Sequence, residues 1–99
     1  MKYGVPTNDG ITVSSIFGRA KSFAIYDTDT ATLTLLANQG IGAEHGAGTG
    51  AASFLAEQKV AKVLAPEVGP KALAALNAAG IAVAHADAGA DILAAIKAV

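Results

Sequence analysis

The chain has 99 residues, and 53% of them are hydrophobic, but 24 of the hydrophobic residues are alanine. Seven basic and eight acidic residues leave a net charge near −1, which lacks the basic surface that nucleic acid or an anionic membrane requires. The absence of cysteine excludes disulfides, thiolate nucleophiles and cysteine-ligated metal sites. We therefore expect one domain over residues 1–99, with a thin core, no nucleic-acid partner and no membrane partner.

No targeting or membrane-spanning segment is evident in the sequence. The first residues, MKYGVPTNDG, lack the apolar region of a signal peptide. No apolar run approaches the roughly 20 residues that a membrane span needs. The expected location is cytoplasmic.

The first forty residues predict three strands. The first runs from Lys2 to Val5 and is ended by the turn-forming residues PTNDG. The second contains Phe23, Ile25 and Tyr26. After a short turn, the third runs from Thr32 to Leu36, where leucine alternates with threonine as in a half-buried strand. The second and third strands are expected to form an antiparallel hairpin.

The second half of the chain predicts helices alternating with strands. A helix is expected from about Ala47 to Gln58, followed by a strand in VAKVLAPE. The segment VGPKALAALNAAG is a helix in which Pro70 suits the first turn and Gly80 the C-cap. A buried strand, IAVAHA, precedes a final helix in GADILAAIKAV, whose inward residues are expected to be Ile92, Leu93 and Ile96.

This order of elements predicts a mixed sheet of about five strands with helices on its faces. Ligands of such sheets lie beyond the carboxyl ends of the parallel strands. Most of the unusual polar residues are expected at that one edge: Pro6 to Asn8, Arg19, His45, Glu67 and His85.

The glycine-rich segment GAGTGA, residues 46–51, admits more than one interpretation. It lies too far after the preceding strand for a dinucleotide fingerprint, but glycines at a helix start can bind an anion or a cluster. A flexible loop that simply opens the helix fits equally well. His45 is a possible metal ligand, whereas a structural role is favoured for His85, with a ligand role as the alternative.

The catalytic inventory of the sequence is poor. A two-metal nuclease needs several converging carboxylates, and the first strand has none. No serine lies in a G-x-S-x-G context, and no Asp–His pair is indicated. The sequence therefore predicts a protein that is not an enzyme.

Four segments resemble the dinitrogenase iron–molybdenum cofactor biosynthesis family: VPT, FGRAKSFAIYD, EHGAGTGAASFLAEQKV and VGPKALAALNAAGIAV. The resemblance extends over nearly the whole chain. Its most specific pieces are F-G-R-A at Phe17 to Ala20, H-G-A-G at His45 to Gly48 and G-P at Gly69 to Pro70.

The resemblance implies an α/β, ribonuclease-H-like fold, with strand order 3-2-1-4-5, strand 2 antiparallel and about three helices. It also implies a nitrogen-fixation-related carrier that binds a metal–sulfur cluster without catalysis. The cluster would be iron–molybdenum cofactor, its precursor, or a molybdenum/copper sulfide cluster. The implied partners are the proteins that donate or accept that cluster.

The resemblance also implies a site. Its residues are Arg19 as countercharge, His45 as metal ligand or hydrogen-bond donor, and the segment Gly46, Ala47, Gly48 and Thr49 as amide donors. Family members often have histidine directly before F-G-R, where this chain has Ile16. That difference favours an alternative, a cofactor-free interaction or regulatory domain on the same fold.

Overall fold

A computed structural model describes residues 1–40 and 46–99 of the chain. In that part of the chain it contains five strands and three helices. In chain order these are β1 (Lys2–Thr7), β2 (Ser22–Asp27), β3 (Thr32–Ala37), α1 (Ala47–Glu57), β4 (Lys62–Ala65), α2 (Pro70–Ala78), β5 (Ala82–His85) and α3 (Ile92–Lys97).

The five strands form one mixed sheet in the order β3-β2-β1-β4-β5, which confirms the expected ribonuclease-H-like arrangement. β1 lies in the centre, antiparallel to β2, with Thr7 beside Ser22. On its other side β1 is parallel to β4, and β4 is parallel to β5, where Ala65 lies beside His85. The carboxyl ends of four strands (β1, β3, β4 and β5) and the start of β2 therefore share one edge of the sheet.

Helices α1 and α2 cover one face of the sheet, over the larger of two cores. The buried side of α1 consists of small and branched residues at helical spacing, including Ala51 and Leu55. Helix α1 lies close to β1 because Gly4 has no side chain: a Cβ there would lie 3.3 Å from a side-chain carbon of Leu55. The many alanines and glycines thus allow the helices to lie close to the sheet, with a thin core between them.

Helix α3 covers the opposite face, over a smaller core. Ile92 and Ile96 are buried there against residues of the central strands, including Val5 and Leu64. Val13, from the long connection between β1 and β2, joins the same core. Both faces are therefore covered at the centre of the sheet, as its parallel β1–β4–β5 half requires.

Three burial predictions were wrong, and all three concern the margins of the fold. Leu93, predicted to face inward, has 46% of its surface exposed, because only Ile92 and Ile96 of α3 face the sheet. β3 was predicted to be half-buried, but Leu33 and Leu35 are exposed, because β3 is an edge strand and α3 does not reach it. β5, predicted to be buried, is the opposite edge strand and is partly exposed.

Backbone geometry confirms the predicted roles of Pro70 and Gly80 at the two ends of α2. Pro70 occupies the first turn of α2, and Gly80 after that helix has φ 77°, the left-handed conformation that glycine favours. Across residues 1–40 and 46–99, the longest helix has 11 residues, and none is long and apolar enough to span a membrane.

Candidate functional site

The candidate site lies at the edge of the sheet where the parallel strands end. We call this edge the rim, and define it by five segments: residues 7–21, 38–40, 46–50, 66–70 and 85–91. The first segment follows β1, the second follows β3, and the third begins α1. The last two follow β4 and β5. The predicted convergence of these segments on one edge follows from the observed strand order.

The long connection after β1 is fixed by side-chain hydrogen bonds. Asn8 accepts from the Lys21 amide at 3.0 Å and donates to Ser14 Oγ at 3.2 Å. The Ser14 amide in turn donates to the Pro6 carbonyl at 2.8 Å. The two ends of the connection are thus tied together, and the segment between them has a defined path.

Asp9 organises the turn at the start of this connection. Its carboxylate accepts hydrogen bonds of 2.8 Å from the Ile11 amide, the Thr12 amide and the Thr12 hydroxyl. The backbone hydrogen bonds from Thr12 and Ile11 are the main reason that the pKa of Asp9 lies well below its ordinary value. Asp9 is therefore a charged residue whose oxygens are used within its own turn.

The F-G-R-A motif anchors the other end of the connection and exposes its arginine. Phe17 is buried, and its ring centre lies 5.4 Å from that of Phe23 in the core beneath α1. Two residues later Arg19 is exposed at the rim, whereas Ala20 is again fully buried. Burial on both sides of Arg19 leaves its guanidinium directed away from the core, where it can meet an anion.

Helix α1 begins at the rim with a run of small residues. Gly46 precedes it with φ 105°, a conformation that side chains disfavour. The first hydrogen bond of the helix joins the Gly50 amide to the Gly46 carbonyl at 3.0 Å. The amides of Ala47, Gly48 and Thr49 therefore have no acceptor within the helix and can bind an anion.

A shallow groove of about 270 Å³ runs beside the start of α1. Thr49 and Gly50 line it from the helix, and Gln39 and Gly40 line it from the segment after β3. Phe54 forms part of its apolar wall. The groove gives the first turn of α1 an open side at which a ligand of modest size can lie.

Five of the six predicted site residues belong to the part of the chain that the structure describes. Arg19, Gly46, Ala47, Gly48 and Thr49 all lie on the rim, on the side formed by β1, β2 and α1. The prediction for His45 lies outside the described residues.

Asn38 is a rim residue that the sequence reasoning missed. Its buried carboxamide donates to the carbonyls of Gly18 and Ala20 and accepts from the amide of Gly40. It therefore links the segment that carries Arg19 to the segment that lies against α1. The one signal for it, Asn-Gln-Gly after a strand, is that of an ordinary turn.

The far side of the rim is acidic. His85 ends β5, and its two ring nitrogens face the Pro66 carbonyl at 3.1 Å and an Asp87 carboxylate oxygen at 2.8 Å. The hydrogen bond with Asp87 is the main cause that raises the pKa of His85 above its ordinary value. Both partners are hydrogen-bond acceptors, so only the protonated imidazole can donate to both of them, and the structural role of His85 stays a prediction.

The hydrogen-bond donors among the described rim residues suit an anion. Within residues 1–40 and 46–99, no group of three or more histidine, aspartate or glutamate side chains could hold a metal ion together. Arg19 and the amides at the start of α1 supply positive charge and hydrogen-bond donors instead. A ligand that carries its own negative charge suits these groups.

Comparison with solved structures supports the fold and the family. The apo form of the orange protein from Desulfovibrio gigas is 33% identical, with a TM-score of 0.88, over 97% of this chain and 83% of that chain. A putative NifB protein from Thermotoga is 31% identical, with a TM-score of 0.81, over 98% of this chain and 84% of that chain. PH0822 is 24% identical, with a TM-score of 0.82, over 99% of this chain and 88% of that chain, a likeness of fold alone.

No curated protein sequence matches the chain. The family model described as dinitrogenase iron–molybdenum cofactor matches residues 1–99. That match covers the F-G-R-A segment, the glycine-rich start of α1 and the Gly69-Pro70 pair, which all lie on the rim. The chain belongs to the dinitrogenase iron–molybdenum cofactor family.

Proposed function

We propose that this chain is a carrier that binds a preformed, anionic metal–sulfur cluster at the rim and transfers it without chemical change. The observation that carries the proposal is the position of Arg19 and the start of α1 on one side of the rim. Family membership supports a role in handling a cofactor of the iron–molybdenum type.

The chemistry of the rim supports cargo of this kind. A cluster whose metals are already bound by sulfide needs few protein ligands and mainly a surface that neutralises its charge. Arg19 supplies a full positive charge, and the amides of Ala47, Gly48 and Thr49 supply donors with the partial positive charge of a helix start. His45 completes the proposed site as a ligand or donor.

The proposed cluster is iron–molybdenum cofactor, its precursor, or a molybdenum/copper sulfide cluster. In each case sulfide forms the outer surface of the cluster, so weak contacts from amides and a guanidinium are adequate for holding it. Weak contacts also suit release to an acceptor protein, since a carrier must not bind its cargo more tightly than the acceptor does. The proposed partners are therefore cluster donor and acceptor proteins.

A second candidate is a cofactor-free interaction domain on the same fold. Ile16, which stands where family members often have histidine, is 53% exposed at the rim. An exposed isoleucine beside Arg19 suits contact with a protein rather than coordination of a metal. This candidate predicts a rim that binds a protein and no cluster.

An anaerobic titration with tetrathiomolybdate, with and without Cu(I), distinguishes the two candidates. For a carrier, we expect a change in visible absorption that saturates as the ligand is added. We also expect backbone amide NMR shifts concentrated at Arg19 and residues 46–50. We expect Arg19→Ala to weaken binding about tenfold, because a charge-assisted contact is lost. His45→Ala is expected to weaken binding as well.

Lys97→Ala provides the matched control. It also removes one positive charge, but Lys97 lies in the last turn of α3, at the end of that helix away from the rim. Equal losses in Arg19→Ala and Lys97→Ala would show that binding follows net charge alone and would contradict a site at the rim. No saturable binding by the wild-type chain would favour the interaction domain.

A further inference from the structure

Asn38 makes contacts on both sides of the proposed site. The residue follows β3, and 8% of its surface is exposed. Its Nδ2 donates to the Gly18 carbonyl at 3.0 Å and to the Ala20 carbonyl at 2.9 Å, while its Oδ1 accepts from the Gly40 amide at 2.9 Å. Both hydrogens and the oxygen of one carboxamide are thus used in three different contacts.

The donor side of Asn38 fixes the backbone around Arg19. Gly18 and Ala20 are the residues directly before and after Arg19, so their carbonyls hold both of its neighbouring residues. The Asn38 amide strengthens this attachment by donating to the Lys21 carbonyl at 3.0 Å. The guanidinium itself is exposed, so its direction depends on how this backbone is held.

The acceptor side of Asn38 fixes the segment that lies against α1. A Cβ at Gly40 would lie 2.2 to 2.4 Å from backbone atoms of Gly50 and Ala51, so Gly40 is in backbone contact with the helix. A hydrogen bond that holds the Gly40 amide therefore also fixes Gly40 relative to the first turns of α1. One buried side chain spans the gap between the arginine segment and the helix start.

We propose that Asn38 is a positioning residue that sets the separation between Arg19 and the start of α1, and so creates the geometry of the anion site. It does not contact the ligand. This inference rests on the proposed function, because it assigns a role within the same site. Only a carboxamide of this length can donate to two carbonyls and accept from a third group at these distances.

Asn38→Asp separates the two sides of this contact. The variant keeps the acceptor for the Gly40 amide, but it loses both donors and places a carboxylate oxygen against the Gly18 and Ala20 carbonyls. Asn77→Asp is its control, because it makes the same substitution at an exposed residue in the last turn of α2, at the end of that helix away from the rim. We expect tetrathiomolybdate affinity to fall about tenfold further in Asn38→Asp than in Asn77→Asp.

A double-mutant cycle tests whether Asn38 acts through Arg19. In a chain that already carries Arg19→Ala, Asn38→Asp should weaken binding less than threefold beyond Asn77→Asp, since the group that Asn38 positions is absent. Losses that simply multiply in the double variant would overturn the proposal. Ile92→Ala, which destabilises the core beneath α3, should leave affinity within twofold and so excludes a general effect of stability.

Amide NMR of the ligand-free chain keeps the inference separate from the proposed function. Asn38→Asp, or Asn38→Ser if the first variant does not fold, should shift the amides of Arg19 and Ala20. Asn77→Asp should leave those amides unchanged. If the wild-type chain binds no thiomolybdate, the proposed function fails, and unshifted Arg19 and Ala20 amides would overturn the positioning role on their own.

Discussion

Helices α1 and α3 begin at the same rim in opposite ways. α3 begins after Asp91, whose carboxylate accepts from the Ala94 amide at 3.1 Å. α1 begins after Gly46, which has no side chain to offer, and its first helical hydrogen bond comes from Gly50. The start of α3 is therefore satisfied by the chain's own anion, whereas within the described residues the start of α1 has no side-chain cap.

If α1 binds the proposed anion, this difference separates the residues that stabilise the fold from those that bind. A carboxylate at a helix start stabilises the helix and occupies the donors that an external anion would use. α3 has only six residues and gains from such a cap. α1 has 11 residues and a buried side in the larger core, so its packing can maintain the helix while its first amides remain open.

The largest expected effect is at Gly40, where backbone lies against the start of α1. Gly40→Ala would place a Cβ within 2.4 Å of three backbone atoms of Gly50 and Ala51. Because backbone cannot move aside as a side chain can, we expect the free energy of unfolding to fall by about 3 kcal/mol. Urea denaturation monitored by circular dichroism measures this loss.

Gly69→Ala is the matched control for that experiment. Gly69 also precedes a helix at the rim, but it has φ −61° and open space around the position of a Cβ. We expect its unfolding free energy to change by less than about 1 kcal/mol. Equal losses in the two variants would contradict the close contact between Gly40 and α1.

The next effect is at the start of α3. Asp91→Ala removes the carboxylate that caps the Ala94 amide, and we expect the free energy of unfolding to fall by about 1 kcal/mol. Asp91→Asn retains a capping oxygen and should recover most of that loss. Thermal denaturation of both variants measures the difference, and a chain unaffected by Asp91→Ala would remove the contrast between the two helices.

The smallest effect concerns the pH dependence of the acidic side of the rim. The pKa of His85 is raised, chiefly by its hydrogen bond with Asp87, so protonated His85 is favoured in the folded chain. Its contribution to stability is complete below the ordinary pKa near 6.5 and is lost as the pH rises through the raised value. An NMR titration of the His85 ring in Asp87→Asn should give a lower pKa than in the wild type.

His45→Gln provides the assignment control for that titration. It removes the other histidine of the chain, so the remaining ring signals belong to His85. A His85 pKa that is the same with and without the Asp87 carboxylate would contradict the contact.

The sequence pattern predicted the helices and strands well, because apolar residues alternate in strands such as β3 and because proline and glycine mark the two ends of α2. The βαβ half predicted parallel strands in a mixed sheet, and the family resemblance supplied the strand order and the antiparallel direction of β2. Burial was predicted less well, since a pattern such as that of Leu33 and Leu35 shows which residues share a face but not whether a helix covers it. In α3, the many alanines made it impossible to tell from the sequence which side of the helix faces the sheet, so the burial of Ile92 and the exposure of Leu93 were not distinguished.

The site was predicted in part for a similar reason. Arg19 and the glycines before α1 could be placed on the rim, because strand ends and helix starts follow from topology. Asn38 could not be found, because its three hydrogen bonds join residues that are brought together only by tertiary structure. A buried amide has no periodic signal and looks like any other turn residue in the sequence.

The central position of β1 has a consequence for folding kinetics. Tyr3 pairs with Tyr26 on one side and with Lys62 on the other. The pairing of β1 is therefore complete only when β4, from the second half of the chain, is in place. The hairpin of β2 and β3 is local and can form early, whereas pairing of β1 with β4 closes a long loop. We expect substitutions in β4 such as Val63→Ala to slow refolding more than substitutions in β3, because the sheet is completed across its middle.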